Sequence, residues 1–303
     1  MPRYTTVRTI AEPFTIEGRG LHGNRLCTVR VVPASEGGLK FFHLPTGVVI
    51  PARAEYVGDL SLATTLVKDG VRLQTVEHIL SALVGLGIDH ATVEVDGGEL
   101  PILDGSATPW TKAISQVGLV DLHTSRSFIK ILRNVEVRHE KRWIAVSPLD
   151  ELRINYTIDF PGSSIGRQSM ELAVTPDKYR RELAPARTFC LKSEIDLLHS
   201  RGLALGGNLD NAVVYDDDGC LNDCLRFENE AVRHKILDLV GDLALMGAPI
   251  LGYVEAHAAG HAMHVALVKQ LLSEPDAWTI LEVAAAKGSR LFQPDFTPKL
   301  AAV

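Results

Sequence analysis

Residues 231–246 read AVRHKILDLVGDLALM, an apolar run whose spacing predicts a helix buried in a protein core. The run nevertheless carries three polar side chains at intervals of four residues, those of His234, Asp238 and Asp242. Residues four apart are rotated by only about 40° around a helix, so all three lie on one stripe. Such a stripe either faces solvent or forms one wall of a functional site.

A second stretch of the chain repeats this pattern. Residues 75–85, TVEHILSALVG, are identical to residues 231–241 at five of eleven positions, and His78 aligns with His234. A strand pattern follows the helix in both halves, which predicts an internal duplication with the two histidines meeting between the halves. The alternative is coincidence, because any two amphipathic helices share leucine and valine readily.

The order of the helix and strand patterns predicts an α+β fold with two similar domains, each a layered sandwich of sheet and helices. In the first half we expect strands at 14–18, 26–32 and 39–44, a helix at 74–87, a strand, turn and second strand at 90–103, and a helix at 108–118. The polar segment DLHTSRS, 121–127, is predicted to be a linker between the domains.

The second half has a similar order of predicted strands and helices. We expect strands within 128–148 and at 151–160, helices at 176–183, 192–202 and 227–245, a strand at 250–258 and a last helix at 261–272. The predicted domains are 1–124 and 125–290, with the active site at the interface between them. The remainder, 291–303, has two prolines and no periodicity and is expected to be a flexible tail.

Composition and charge exclude several classes of function. The 303-residue chain has a formal net charge of -6, which argues against nucleic acid as a partner. Its start lacks the apolar run of a signal peptide. The apolar stretch 236–254 contains two aspartates and Pro249, which disfavours a membrane span. Four scattered cysteines without C-x-x-C spacing predict a reducing, cytoplasmic compartment.

One glycine-rich loop invites a nucleotide-binding interpretation. Residues 18–23, GRGLHG, match the G-x-G-x-x-G pattern of dinucleotide sites, which requires a helix to begin in the loop and meet the pyrophosphate. The residues that follow, NRLCTVRVV, predict a strand instead. We therefore expect a β-hairpin in which the glycines adopt positive φ, and no dinucleotide site.

The polar stripe of the 231–246 helix suggests a metal site. His234 and Asp238 lie one turn apart and can bind the same ion. If His78 joins them, two histidines and a carboxylate, with a fourth position for water, form the ligand set of a catalytic zinc ion. Glu77 points about 100° away from His78 and can reach a bound water as a general base. A solvated stripe or a simple His–Asp hydrogen bond is the alternative.

A second group of histidines lies in the segment HAAGHAMH, residues 257–264. His261 follows Gly260 where a helix is predicted to begin, so it is the one placed to face a site. His257 and His264 fit an equally ordinary role as hydrogen-bonded structural histidines. A second metal site is the other interpretation of this group.

Eight motifs, taken in order, resemble the UDP-3-O-acyl-N-acetylglucosamine deacetylase family and cover nearly the whole chain except the tail. They are GRGLHGN, LATTL, TVEHILSAL, LPILDGSA, PARTF, GGNLDNAVV, RFENEAVRHKILDLVGDL and AGHA. The resemblance implies two similar α+β domains, a catalytic zinc ion that iron(II) can replace, and the committed deacetylation of lipid A biosynthesis.

The resemblance also implies a role for individual residues. It makes His78, His234 and Asp238 the zinc ligands, Glu77 the general base, and His261 the general acid with Asp242 as its carboxylate partner. It makes Thr188 the hydroxyl that supports the oxyanion, and it assigns substrate contacts to Lys235, Phe189, Asp159 and Phe160. An insert at 191–211 is implied to form an apolar passage for the acyl chain.

The implied reaction hydrolyses the N-acetyl amide of UDP-3-O-acyl-N-acetylglucosamine and has a bell-shaped pH profile set by Glu77 and His261. Two alternatives are a zinc hydrolase that acts on a different amide and a nucleotide-sugar or lipid binding protein without turnover. The apolar end of the chain, LAAV, suggests a handle for a regulatory protease as a further partner.

Overall fold

The computed structural model describes residues 5–283, so the predicted tail and its proposed protease handle lie outside the described residues. The strands of the first half are β1 (Thr6–Ile10), β2 (Phe14–Arg19), β3 (Leu26–Pro33), β4 (Leu39–His43), β5 (Val48–Pro51), β6 (Leu66–Lys68), β7 (Val71–Leu73) and β8 (Ala91–Val95). Its helices are α1 (Glu77–Gly85), α2 (Thr108–Val117) and a 3-10 turn, Ala54–Tyr56.

The second half continues with further strands and helices. Its strands are β9 (Leu119–Ile131), β10 (Val135–His139), β11 (Arg142–Ser147), β12 (Leu152–Phe160), β13 (Gly166–Ala173), β14 (Phe189–Leu191), β15 (Val213–Tyr215), β16 (Ile250–His257) and β17 (Trp278–Val283). Its helices are α3 (Pro176–Lys178), continued by a π turn at Tyr179–Leu183, α4 (Ile195–Ser200), α5 (Glu230–Leu243) and α6 (His261–Ser273). Short 3-10 turns lie at Lys192–Glu194, Ala244–Met246 and Pro275–Ala277. This mixture of helices and sheets confirms the α+β class.

The sheet of the first half has the order β2-β3-β8-β4-β5. Strand β3 shows why it forms, because Cys27, Val29 and Val31 alternate with more exposed residues and point into the core. It pairs antiparallel with β2 and β8, and β4 pairs parallel with β8. The apolar face of α1, which includes Ile79 and Leu83, belongs to the same hydrophobic core.

The larger sheet has the order β1-β9-β16-β11-β10, with β12 also beside β16 and β17 beside β9. Strand β9 pairs with β1 along its first part and with β17 along its second. Residues 121–127, predicted to be a linker between the domains, therefore lie within a strand. Their polar groups have partners there, since Thr6 donates to Asp121 at 3.0 Å and Arg126 donates to Asp89 at 2.8 Å.

Helices α1 and α5 pack closely against each other, as their matched sequences predicted. A Cβ on Gly241 would lie 2.2 Å from the carbonyl oxygen of Glu77, so only glycine allows the helices to approach this far. The Ser81 hydroxyl donates to the carbonyl of Leu237 at 2.7 Å. This contact brings His78 and His234 together, with ring centroids 5.0 Å apart.

Three local predictions need correction. Helix α1 begins at Glu77 and not at residue 74, because Thr75 has a φ of 61°, which a right-handed helix excludes. Residues 99–103 form isolated bridges and no second strand. The 18–23 loop joins the β2–β3 hairpin as expected, but Asn24, at φ 51°, supplies its positive φ. Gly20 is needed for space, since a Cβ there would lie 2.3 Å from the Glu99 carboxylate.

The apolar stretch at 236–254 is divided between α5, a turn and β16. Within residues 5–283, no helix is long and apolar enough to cross a membrane. The two aspartates that disfavoured a span both lie on the α5 stripe, which faces the site described next.

Candidate active site

A cavity of about 300 Å³ lies where the N-terminus of α1, the polar stripe of α5 and the N-terminus of α6 converge. Among the residues that line it are Glu77, His78, Thr188, Phe189, His234, Lys235, Asp238 and His261. Most of the remaining residues of α5 are apolar and buried in the core, among them Ile236, Leu237 and Leu239. The stripe is therefore turned inward to the cavity and does not face solvent.

Three side chains at the base of this cavity converge on one point. His234 Nε2 lies 3.3 Å from Asp238 Oδ1, and His78 Nε2 lies 3.8 Å from the same oxygen. The ligand atoms of the three residues all lie within 4.8 Å of one another. His234 Nδ1 lies 3.0 Å from the carbonyl oxygen of Ala186, which holds the proton on Nδ1 and leaves the Nε2 lone pair facing the cluster.

The chemistry of these three residues fits a bound cation. Asp238 Oδ2 accepts a hydrogen bond from Lys235 Nζ at 2.7 Å, but the buried Oδ1 has no hydrogen-bond partner among the described residues. A buried carboxylate oxygen without a partner is costly, and a metal ion at this point would satisfy it. Burial, reinforced by the neighbouring His234, lowers the pKa of His78 to about 3, which keeps the imidazole in its neutral, ligating form.

Glu77 lies beside this cluster at the first position of α1 and is almost completely buried. Its Oε2 accepts the backbone N–H of Thr64 at 3.0 Å. Burial raises the pKa of the Glu77 carboxyl to about 7, although the charge of His261 opposes this rise. A carboxylate with a pKa near neutrality is a stronger base than an ordinary glutamate, and about half of it is ionised at pH 7.

His261 stands across the cavity at the first position of α6. Its Nδ1 donates to Asp242 Oδ2 at 2.8 Å, and its Nε2 faces the cluster, 3.9 Å from Asp238 Oδ2. Burial alone would lower the pKa of His261, but the charge and the hydrogen bond of Asp242 outweigh it and raise the pKa to about 9. The site therefore places a proton acceptor and a protonated donor near the same three side chains.

The other two histidines of the 257–264 segment have hydrogen-bonding or stacking roles. His264 is fully buried and its Nδ1 also contacts Asp242 Oδ2 at 2.8 Å, while its Nε2 lies 2.9 Å from the Tyr156 hydroxyl. His257 stacks on Trp143 with ring centroids 6.4 Å apart. Asp242, His261 and His264 also satisfy the spacing of a metal site, but the two Nδ1 atoms already share the carboxylate through hydrogen bonds.

Thr188 and Phe189 reach the cavity from a segment that a buried ion pair holds in place. Arg187 Nε donates to Glu230 Oε1 at 2.9 Å, and both side chains are buried. Burial raises the pKa of Glu230, but the hydrogen bonds from Arg187 outweigh it and leave the pKa below its ordinary value. Since Glu230 begins α5, this pair fixes Thr188 relative to the α5 stripe.

Comparison with known proteins agrees with this geometry. Residues 7–273 match the family described as LpxC: UDP-3-O-acyl N-acetylglycosamine deacetylase. The chain belongs to this deacetylase family. Proteins named UDP-3-O-acyl-N-acetylglucosamine deacetylase from Anaeromyxobacter dehalogenans and Myxococcus xanthus are each 42% identical to it over 278 residues. These alignments cover 91% and 90% of this chain, and 90% and 88% of the two relatives.

Membership of the deacetylase family confirms the resemblance predicted from the eight motifs. The structure brings most of the implied site residues of this family to one cavity, but not all. Phe160 does not line the cavity, but its ring lies 5.7 Å from that of Phe189, which does. Asp159 lies 3.9 Å from Arg167 and does not line the cavity either.

Sequence reasoning missed several residues that line the cavity of this deacetylase-family member or support its walls. Arg142, at the start of β11, lines the cavity and adds a positive charge to that of Lys235. His22 and Thr75 also line the cavity, and His22 Nε2 and Thr75 Oγ1 are buried without a hydrogen-bond partner in the described part of the chain. The φ of Thr75, rare for a β-branched residue, signals strain but is invisible in the sequence.

Proposed function

We propose that the protein hydrolyses the N-acetyl amide of UDP-3-O-acyl-N-acetylglucosamine, releasing acetate and UDP-3-O-acyl-glucosamine in the committed step of lipid A biosynthesis. The observation that carries this proposal is the pairing of Glu77 and His261 on either side of a three-residue ligand cluster. A protein that only binds a nucleotide sugar needs neither a buried base nor a buried, protonated acid. The names of the relatives and the family match support the same substrate.

We propose His78, His234 and Asp238 as ligands of a zinc ion, with iron(II) as an alternative occupant. The unpartnered Asp238 Oδ1 and the neutral imidazole of His78 support this assignment. Such an ion, when bound, supplies Lewis-acid polarisation of a carbonyl group and lowers the pKa of a water molecule to about 7. A histidine-carboxylate set with a position left for water suits zinc catalysis.

The proton transfers are proposed to use two side chains of this chain. Glu77 accepts the proton of the attacking water, and His261 donates its Nε2 proton to the nitrogen of the leaving amine. Asp242 holds His261 in its protonated form and fixes the ring through Nδ1. The Thr188 hydroxyl, which lines the same cavity, is proposed to donate to the developing oxyanion.

Charge and apolar surface around the cavity support a lipid-linked nucleotide substrate. Lys235 and Arg142 line the cavity and suit the two phosphates of a nucleoside diphosphate. Phe189 offers aromatic surface in the cavity and Phe160 packs against it, and both are proposed to contact the substrate. Asp159, near the end of β12, is proposed to contact the uridine. Residues 191–211 are proposed to guide the acyl chain, and the exposure of Leu197, Leu205 and Leu209 supports this. We also propose that the chain forms two similar domains divided near residue 124, with the site at their interface. A cytoplasmic location is likewise a proposal.

The proposed function is tested by incubating the purified, zinc-loaded protein with UDP-3-O-acyl-N-acetylglucosamine and measuring acetate and the free 2-amine. We expect the two products in equal amounts, with turnover lost when the metal is removed by a chelator and regained when zinc is restored. Substrate binding without acetate release, across several acyl-chain lengths, would favour the non-catalytic alternative. Release of acetate from simpler N-acetyl amides at an equal rate would favour a hydrolase with a different substrate.

The pH profile of kcat/KM is expected to be bell-shaped. Glu77 acts as a base only when ionised, so the rate rises as pH passes its pKa of about 7, and His261 acts as an acid only when protonated, so the rate falls above about 9. A bound divalent cation lowers both pKa values, because it favours the Glu77 anion and disfavours the His261 cation. His261→Ala should remove the alkaline limb, and an unchanged alkaline limb in that variant would contradict the assignment.

A further inference from the structure

Thr64, in the LATTL segment between the 54–56 turn and β6, contacts residues of the site that are distant from it in the sequence. Its side chain and backbone are completely buried. Its N–H donates to Glu77 Oε2 at 3.0 Å, and its carbonyl accepts the N–H of Val76 at 3.2 Å. These two bonds attach the backbone of Thr64 to the start of α1, the helix that carries the proposed base.

The side chain of Thr64 faces the opposite wall of the site. Its hydroxyl donates to Asp242 Oδ1 at 2.5 Å, and the hydroxyl oxygen of Thr64 also lies 3.2 Å from His261 Nδ1. The other oxygen of Asp242, Oδ2, receives the Nδ1 hydrogen bonds of His261 and His264. Thr64 thus restrains one end of the carboxylate while the two imidazoles occupy the other.

We infer that Thr64 is a positioning residue that holds the base Glu77 and the acid pair Asp242–His261 in register with each other. The inference rests on the proposed function, which assigns those two proton-transfer roles. Glu77 belongs to α1 and His261 to α6, which lie at opposite walls of the cavity. Thr64 joins both walls within one residue, through its N–H on one side and its hydroxyl on the other.

A link of this kind matters because both groups act on one small amide. Catalytic groups must be held within roughly 0.5 Å of productive geometry, and a misplacement of about 1 Å can cost about 100-fold in rate. Without the Thr64 hydroxyl, Asp242 Oδ1 would lose a donor in a buried environment. The carboxylate would then be held only through Oδ2, and a small shift about that oxygen would move His261 Nε2 away from the leaving nitrogen.

The chain offers a close control for testing this inference. Thr64→Val keeps the size of the side chain and the backbone N–H to Glu77 but removes the hydroxyl, and Thr64→Ser keeps the hydroxyl. Thr65→Val makes the same chemical change one residue away, where the hydroxyl is buried and has no hydrogen-bond partner among the described residues. Should Thr64→Val not fold, Thr64→Ala removes the same hydroxyl from a smaller side chain.

We expect Thr64→Val to lower kcat by about 10- to 100-fold with KM within about threefold of the parent value. Thr64→Ser should recover most of this loss, and Thr65→Val should behave as the parent. Zinc content and the unfolding midpoint, measured for each variant, identify any general structural damage. A parent-like kcat for Thr64→Val, in a parent that releases acetate, would overturn the inference, whereas an inactive parent would instead refute the proposed function.

A double-mutant cycle shows through which partner Thr64 acts. In a His261→Ala background the acid is already gone, so Thr64→Val should add less than about twofold to the loss. A combined loss equal to the product of the two single losses would mean that Thr64 acts independently of His261, and the inference would fail. The cycle uses residual turnover measured over long incubations with the zinc-loaded protein.

Discussion

Glu77→Gln is expected to lower kcat for acetate release by about 100- to 10,000-fold, the range that a general base contributes. Glutamine has the shape of glutamate, and its side-chain oxygen can still accept the N–H of Thr64. It cannot accept a proton from water at any pH in the working range. The ligand cluster of His78, His234 and Asp238 remains intact, so zinc content should equal that of the parent.

Two measurements separate this effect from a loss of structure. Glu36→Gln makes the same chemical change at an exposed position that does not line the cavity and should leave kcat unchanged. Metal content and thermal unfolding, recorded on the same preparations, should agree for both variants and the parent. If the kcat of Glu77→Gln were within threefold of the parent value, another group would have to act as the base.

The parts of the structure that follow from local patterns were predictable from the sequence. The polar side chains of α5 recur every four residues in an otherwise largely apolar segment, and β3 alternates with period two, so these elements have clear patterns. The three proposed metal ligands could be grouped from the sequence because two lie on one helical turn and the third occurs at the matching position of a similar helix. That similarity placed His78 against His234 before any tertiary contact was known.

The parts that depend on distant contacts were not predictable. Residues 121–127 look like a linker because they are polar, yet β9 pairs there with β1, and Asp89 in another part of the chain neutralises Arg126. Thr64 lies 178 residues from the carboxylate that its hydroxyl contacts. A threonine in a loop has no periodicity and no ligand spacing, so its sequence environment carries no signal for such a contact. The same holds for Arg142, whose place in the cavity is set by the folding of β11 against β16.

The second large effect is expected at the ligand cluster, where His234→Ala should lower zinc affinity by more than about 100-fold. Even residues that only support metal ligands contribute about 10- to 100-fold to affinity, and His234 would be a direct ligand. Zinc at 100 times its dissociation constant should stabilise the parent against unfolding by about 2.7 kcal/mol. In the variant the same zinc concentration would not exceed its weakened dissociation constant, so the stabilisation should fall to about 0.4 kcal/mol or less.

This difference can be measured by denaturant unfolding of metal-free protein with and without added zinc, which requires no turnover. The metal-free parent should fold, because Lys235 remains paired with Asp238 and His234 Nδ1 remains bonded to Ala186. His139→Ala, at an exposed position in β10, is the matched control and should respond to zinc as the parent does. If His234→Ala were stabilised by zinc as strongly as the parent, the ion would have to bind elsewhere. The unpartnered Asp238 Oδ1 would then need a different explanation, since the cation proposed to satisfy it would be absent.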